Sequence, residues 1–199
     1  MALPIEIIQK MIHGSRPLSN ESEVLGFEMN KSILQNGDLL FMSDESELTK
    51  AIIETTEKYS HVGIYFDGYI YHASKKKGVA KQKLEDYLTE EKRDIYIYRY
   101  PMIDAEIVKE RAERYLGCEY NHSFYPNNGQ FYCSQYIAEI LPIFDIIPMK
   151  FGDGVKEISD YWLKYYEGLG MPVPVGQPGT NPGQLARSEK LRYIGKLDY

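Results

Sequence analysis

The stretch "SHVGIYFDGYIYHAS", residues 60–74, decides the fold. Two runs rich in β-branched and aromatic residues flank Asp67-Gly68, the pair best suited to a two-residue hairpin loop, whose central residues both need positive φ. Such a loop pairs Phe66 with Tyr69, sets Gly63 opposite His72 and His61 opposite Ser74. Side chains alternate along a strand, so His61, Gly63, Tyr65, Ile70 and His72 share one face. Val62, Ile64, Phe66, Tyr69 and Tyr71 take the other. His61 and His72 are then diagonal neighbours, roughly 7–8 Å apart at the backbone and within reach of each other's rings. Gly63 leaves the space between them open. One imidazole can orient another there, as the third member of a catalytic triad does; the plain alternative is two histidines tolerated on a half-exposed sheet face.

Working outward, "NGDLLFM" (36–42) reads as a turn and a strand, and "DIYIYRY" (94–100) as another strand. Helical stripes are expected over 4–13, over 45–56 with Ser43 and Asp44 as cap candidates, and as a turn at 83–88. A further helix over 105–116 has Asp104 as its cap and Gly117 as its left-handed stop. Another runs from Cys133 to about Leu141 and is stopped by Pro142. One more spans about 155–167 and ends at Gly168. The tail "GMPVPVGQPGTNPGQ" (170–184) reads as an extended wrap, with Asn181-Pro182 opening a last helical turn. Strands and helices do not alternate strictly, so the class is α+β, a meandering antiparallel sheet with helices packed on it. The 199 residues make one domain, 1–199.

Cys133 opens an apolar stripe with Ile137, Ile140 and Leu141. At a helix start, unpaired N–H groups and the helix dipole favour a thiolate and can donate to an oxyanion. An acidic thiol, titrating well below the ~8.5 of a free cysteine, is the expectation. Cys118 follows a helix end, where the dipole works the other way. A cysteine nucleophile needs a base, and histidine has the suitable pKa. Of the four histidines, His13 falls in a terminal segment and His122 in a loop, which leaves His61 and His72.

A net charge of −6 argues against a nucleic-acid binder. The basic exception, "KKKGVAKQK" (75–83), reads as a solvated turn, or else as a patch for an anionic substrate group or lipid headgroup. Two cysteines make no disulfide framework, and no metal-ligand spacing occurs. No apolar run approaches the ~18 residues of a membrane span. The amino terminus lacks a signal peptide's basic start and long apolar stretch, so cytoplasmic residence is expected unless a leader was removed.

Together, "NGDLLF" (36–41), the hairpin, "YLGCEYN" (115–121) and "FYCSQYIAEIL" (131–141) resemble the circularly permuted branch of the NlpC-like, papain-fold cysteine hydrolases, the YiiX/YebB type. The tail "TNPGQLARS" (180–188) is similar to that group's closing segment. The likeness covers 36–192 and leaves 1–35 as an amino-terminal helical extension. It implies a permuted papain-like fold with a small, barrel-like antiparallel sheet, Cys133 as nucleophile, His61 as base and His72 as third triad member. A histidine at that third place resembles the related lecithin-retinol acyltransferase group. The "EYN" segment stands where relatives often carry a Tyr-Asp pair, which makes Tyr120, Asn121 and the neighbouring Tyr132 candidate substrate contacts. No metal or organic cofactor is implied. The expected activity is hydrolysis of an amide in cell-wall-type or other small peptides through a thioester. A lipid acyltransferase or phospholipase using the same residues, and a catalytically silent binding protein, remain open alternatives.

Overall fold

Six strands form one antiparallel sheet: β1 (Leu39–Met42), β2 (His61–Phe66), β3 (Tyr69–Ser74), β4 (Gly78–Lys83), β5 (Ile95–Arg99) and β8 (Arg192–Leu197), in the order β4-β3-β2-β1-β5-β8. These come from a computed structural model that describes residues 33–43, 50–52, 58–91 and 94–197. The chain divides into two units, Met1–Ile33 with Tyr199, and Leu34–Asp198. The helix expected over 4–13 and His13 lie outside the described residues. Of the helix expected over 45–56, residues 50–52 are described, and they are helical.

The hairpin forms as its turn residues require. Asp67 and Gly68 take φ of 49° and 83°, and Phe66–Tyr69, Tyr65–Ile70 and Ile64–Tyr71 pair in the expected register. The sheet stays open, with β4 and β8 as its edges, and does not close into a barrel. The lysine run divides between the turn 75–77 and edge strand β4, where exposed Lys81 and Lys83 guard the edge against further pairing. Strand β8 was not foreseen, because Gly195 interrupts its alternation.

The helices that lie wholly among the described residues are α1 (Leu84–Glu91), α2 (Ala105–Arg114), α3 (Cys133–Ile140), α4 (Asp160–Leu169) and α5 (Pro182–Ala186). Asp104 caps α2 by accepting from the Ile107 N–H at 3.2 Å, and Gly117 turns left-handed beyond its end. Helix α4 starts later than expected and runs through Gly168, closing at Gly170 with φ 64°. Two short strands, β6 (Ile147–Pro148) and β7 (Pro178–Gly179), tie the extended tail back to the segment after α3.

Helices α1 and α3 contact opposite faces of the sheet. Val62, Ile64, Phe66, Tyr71 and Ala73 share a core with Cys133, Tyr136, Ile137 and Ile140 of α3. On the reverse face Tyr87 of α1 lies edge-on to His72 at 5.1 Å and bonds the Met42 sulfur. Burying each large apolar side chain in these layers contributes about 1.5–3 kcal/mol. Asp38, fully buried just before β1, binds Arg99 at the end of β5 through two hydrogen bonds of 2.6 and 2.8 Å. That carboxylate holds the Arg99 guanidinium above its usual range.

Candidate active site

The first turn of α3 is built from outside the helix. Tyr132 is extended, with φ −88° and ψ 166°, and its N–H donates to Gln135 Oε1 at 3.3 Å. The same oxygen accepts from Asn121 Nδ2 at 3.2 Å. Asn121 also donates to the Tyr125 carbonyl and accepts from Ser123 and Asn128. It was expected to touch substrate. Its amide is instead committed to protein partners, so it fixes the loop 121–128 against the start of α3.

Cys133 is 5% exposed, and its sulfur makes a long hydrogen bond of 3.8 Å to the Ser60 carbonyl. The Val62 N–H of β2 pulls its pKa down, and so do the Ser134 and Cys133 N–H groups, as a helix start should. Burial acts the other way and dominates, so the thiol is pushed up to about 11. The expected acidic thiol is thus reversed in the free protein: desolvation outweighs the helix dipole.

His61 Nε2 and His72 Nδ1 stand 3.1 Å apart, with the rings perpendicular. Gly63 permits this. A Cβ there would lie 2.7 Å from Ile70 Cγ2 and 3.3 Å from His72 Cβ. The pair occupies the sheet face away from α3, as strand parity requires. Cys133 reaches the same neighbourhood from the other face because the β2–β3 ladder ends at Ile64–Tyr71. Backbone groups on an antiparallel strand point alternately to its two neighbours. Tyr65 N–H goes to Asp38 beside β1, so Val62 N–H points toward β3. There the Cys133 sulfur, rather than Ala73, receives it. The sulfur therefore rests on backbone groups at both sides of His61.

Tyr120 joins Phe131 in an isolated bridge, which carries its ring beside Cys133. Burial first, then the charge at Cys133, raises the Tyr120 phenol well above its usual pKa. Tyr132 is 4% exposed, and its hydroxyl accepts from the Thr180 N–H at 3.1 Å. Gly179 makes room for that contact, since a Cβ there would lie 2.8 Å from the Tyr132 oxygen. The Pro/Gly tail thus holds the residue before Cys133.

Cys133, Tyr120 and Tyr132 line one small pocket of about 70 Å³, partly open to solvent, with a largely apolar wall. A second, wider groove on Tyr120 is lined by Lys75, Lys76, Lys77 and His122. His122 is exposed, as expected of a loop residue, and packs edgewise on Tyr120. Gln135, Trp162 and the buried Asp38 went unnoticed in the sequence. Only Gln135, three residues after Tyr132, carried a local signal, the spacing of a helix-capping side chain.

Among the described residues no helix is long and apolar enough to cross a membrane. Nor does any cluster of three histidine, cysteine, aspartate or glutamate side chains there suit a metal ion. A search of the curated proteins finds no match to this chain. Among solved structures, the crystal structure of yiiX from Escherichia coli O157:H7, described as a metalloprotein, superposes with a TM-score of 0.70 at 22% identity. The match covers 81% of this chain and 97% of that one, and demonstrates the shared fold. A sequence model of the permuted papain-like amidases matches residues 33–195, most of the chain. The protein therefore belongs to the permuted papain-like amidase enzymes, the YaeF/YiiX or C92 family.

Proposed function

We propose that the protein hydrolyses an amide bond through a thioester on Cys133, with His61 as its base and His72 holding His61 in place. One observation carries this reading: the Cys133 sulfur lies against Ser60 and Val62, the residues flanking His61, while His61 Nε2 meets His72 Nδ1 at 3.1 Å. For His61 to accept the thiol proton on Nδ1, its Nε2 must carry hydrogen and donate to His72 Nδ1. His72 then bears its own proton on Nε2 and selects the reactive tautomer.

The thiol stays protonated at rest, so proton transfer to His61 accompanies attack on the carbonyl carbon. The N–H groups at the start of α3 receive the developing oxyanion, and the Tyr120 phenol, held neutral by burial, is the second donor. Collapse of the tetrahedral species breaks the C–N bond, and the amine departs with the proton from His61. Water, deprotonated by His61, then attacks the thioester and releases the carboxylic acid and the thiol. Tyr132 supports this geometry through the tail.

The test is amine release from a panel of N-acyl amides by the parent protein, Cys133→Ala and His61→Ala. Turnover should fall by at least about 10²-fold in both variants. Undiminished turnover in Cys133→Ala would overturn the reading.

A further inference from the structure

The pocket beside Cys133 has a composition that narrows the substrate. Phe124, Tyr132, Met149, Phe151 and Trp162 form much of its wall with Cys133. The rings brace one another: Phe124 meets Trp162 at 5.7 Å and Tyr132 at 5.2 Å, and Phe151 meets Trp162 at 5.1 Å. Such a wall is stiff and largely apolar. Yet three of the pocket's residues carry buried polar atoms with no hydrogen-bond partner among the described residues, the Ser134 and Thr180 hydroxyls and the Trp162 indole N–H. Ser134 is wholly buried and Trp162 is 3% exposed.

A buried donor left without a partner is costly, so a ligand atom that reaches such a group gains affinity. An indole N–H only donates, which makes the matching ligand atom an acceptor oxygen. A plain alkyl chain would fill the apolar wall and leave all three groups unmet. A peptide unit beside an apolar side chain satisfies both demands.

We propose, building on the amidase reading, that this pocket holds the acyl half of the substrate. That half is an N-acylated amino acid with a large apolar side chain: the side chain lies against the aromatic wall and the peptide oxygen meets Ser134 and Trp162. The acyl half belongs here because the thioester keeps it attached to the sulfur, and the sulfur lines this pocket and not the lysine groove. The amine half leaves past Tyr120.

Trp162 is the protein's single tryptophan, so its emission reports occupancy directly. The measurement is a titration of Cys133→Ala with N-acetylphenylalanine methylamide, 3-phenylpropionic acid methylamide and decanoic acid methylamide. The first should bind about tenfold tighter than the other two, the worth of one well-placed hydrogen bond. Adding Ser134→Ala should remove that advantage while leaving phenylpropionyl binding unchanged. Equal or tighter binding of the decanoyl or phenylpropionyl probe would overturn the inference, the former pointing to a lipid acyl group. An unmoved emission with all three would overturn it as well. Binding is read without turnover, so a protein that binds the first probe but cleaves no amide loses the amidase reading alone. A protein that cleaves amides without regard to the side chain loses this inference alone.

Discussion

His61 and His72 meet ring to ring, Nε2 to Nδ1 at 3.1 Å, on the sheet face opposite the helix that begins with Cys133. The Cys133 sulfur rests on the Ser60 carbonyl and the Val62 N–H, the residues flanking His61, where the β2–β3 ladder has stopped. Replacing His72 tests its positioning role. His72→Ala should lower kcat by about 10–100-fold and leave KM nearly unchanged, since the proton acceptor remains but its tautomer is no longer selected. His72→Asn, which can still accept from His61, should restore part of the loss and alter the pH profile. A rise in KM at constant kcat would contradict this role.

Gly63→Ala tests the close approach. The new methyl must displace Ile70 Cγ2 or His72, so the imidazole pair separates. Activity should drop about tenfold or more with a stability loss of about 1–3 kcal/mol, the usual cost of overpacking. Wild-type kinetics in this variant would show that the spacing of the rings does not matter.

The buried thiol sets a pH dependence. Its folded pKa, about 11, lies above the unfolded value near 8.5. A raised pKa means stability is intact below the unfolded value and is lost as pH climbs from there through the folded value. Iodoacetamide labelling of Cys133 should therefore keep accelerating toward about pH 11, and Cys133→Ala should remove that part of the alkaline destabilisation. Labelling that levels off below the free-thiol range would contradict this.

How much of this the sequence could reveal follows from which interactions are local. The Asp67-Gly68 hairpin, the Asp104 and Asn181 caps and the shared face of His61 and His72 were all legible, because turn chemistry and strand parity operate over a few residues. The opening between β2 and β3 was not, since both strands read as continuous and only α3 explains the break. The thiol pKa was misjudged for a related reason: the helix start is visible locally, but burial depends on the whole fold. The resemblance makes Asn121 a candidate substrate contact, whereas its bonds to Ser123, Tyr125, Asn128 and Gln135 come from residues whose approach no local pattern announces.

Two polar anchors outside the reaction can be separated by stability and activity. Arg99→Ala leaves the Asp38 carboxylate buried without its guanidinium, and should cost about 3–5 kcal/mol in denaturant unfolding. Asn121→Ala frees Gln135 and loosens the start of α3. It should reduce kcat more than stability, with Gln135→Ala giving a similar effect and the double variant little more. Additive losses would show that the two do not act as one network.

Thioester formation on Cys133 is read out by intact-mass analysis of the protein quenched during turnover of an amide or activated ester. A single acyl adduct is expected, mapped to Cys133, absent from Cys118 and from the Cys133→Ala protein. Sustained turnover without an adduct on Cys133 in a trapped single-turnover experiment, or an adduct on Cys118 in its place, would contradict it.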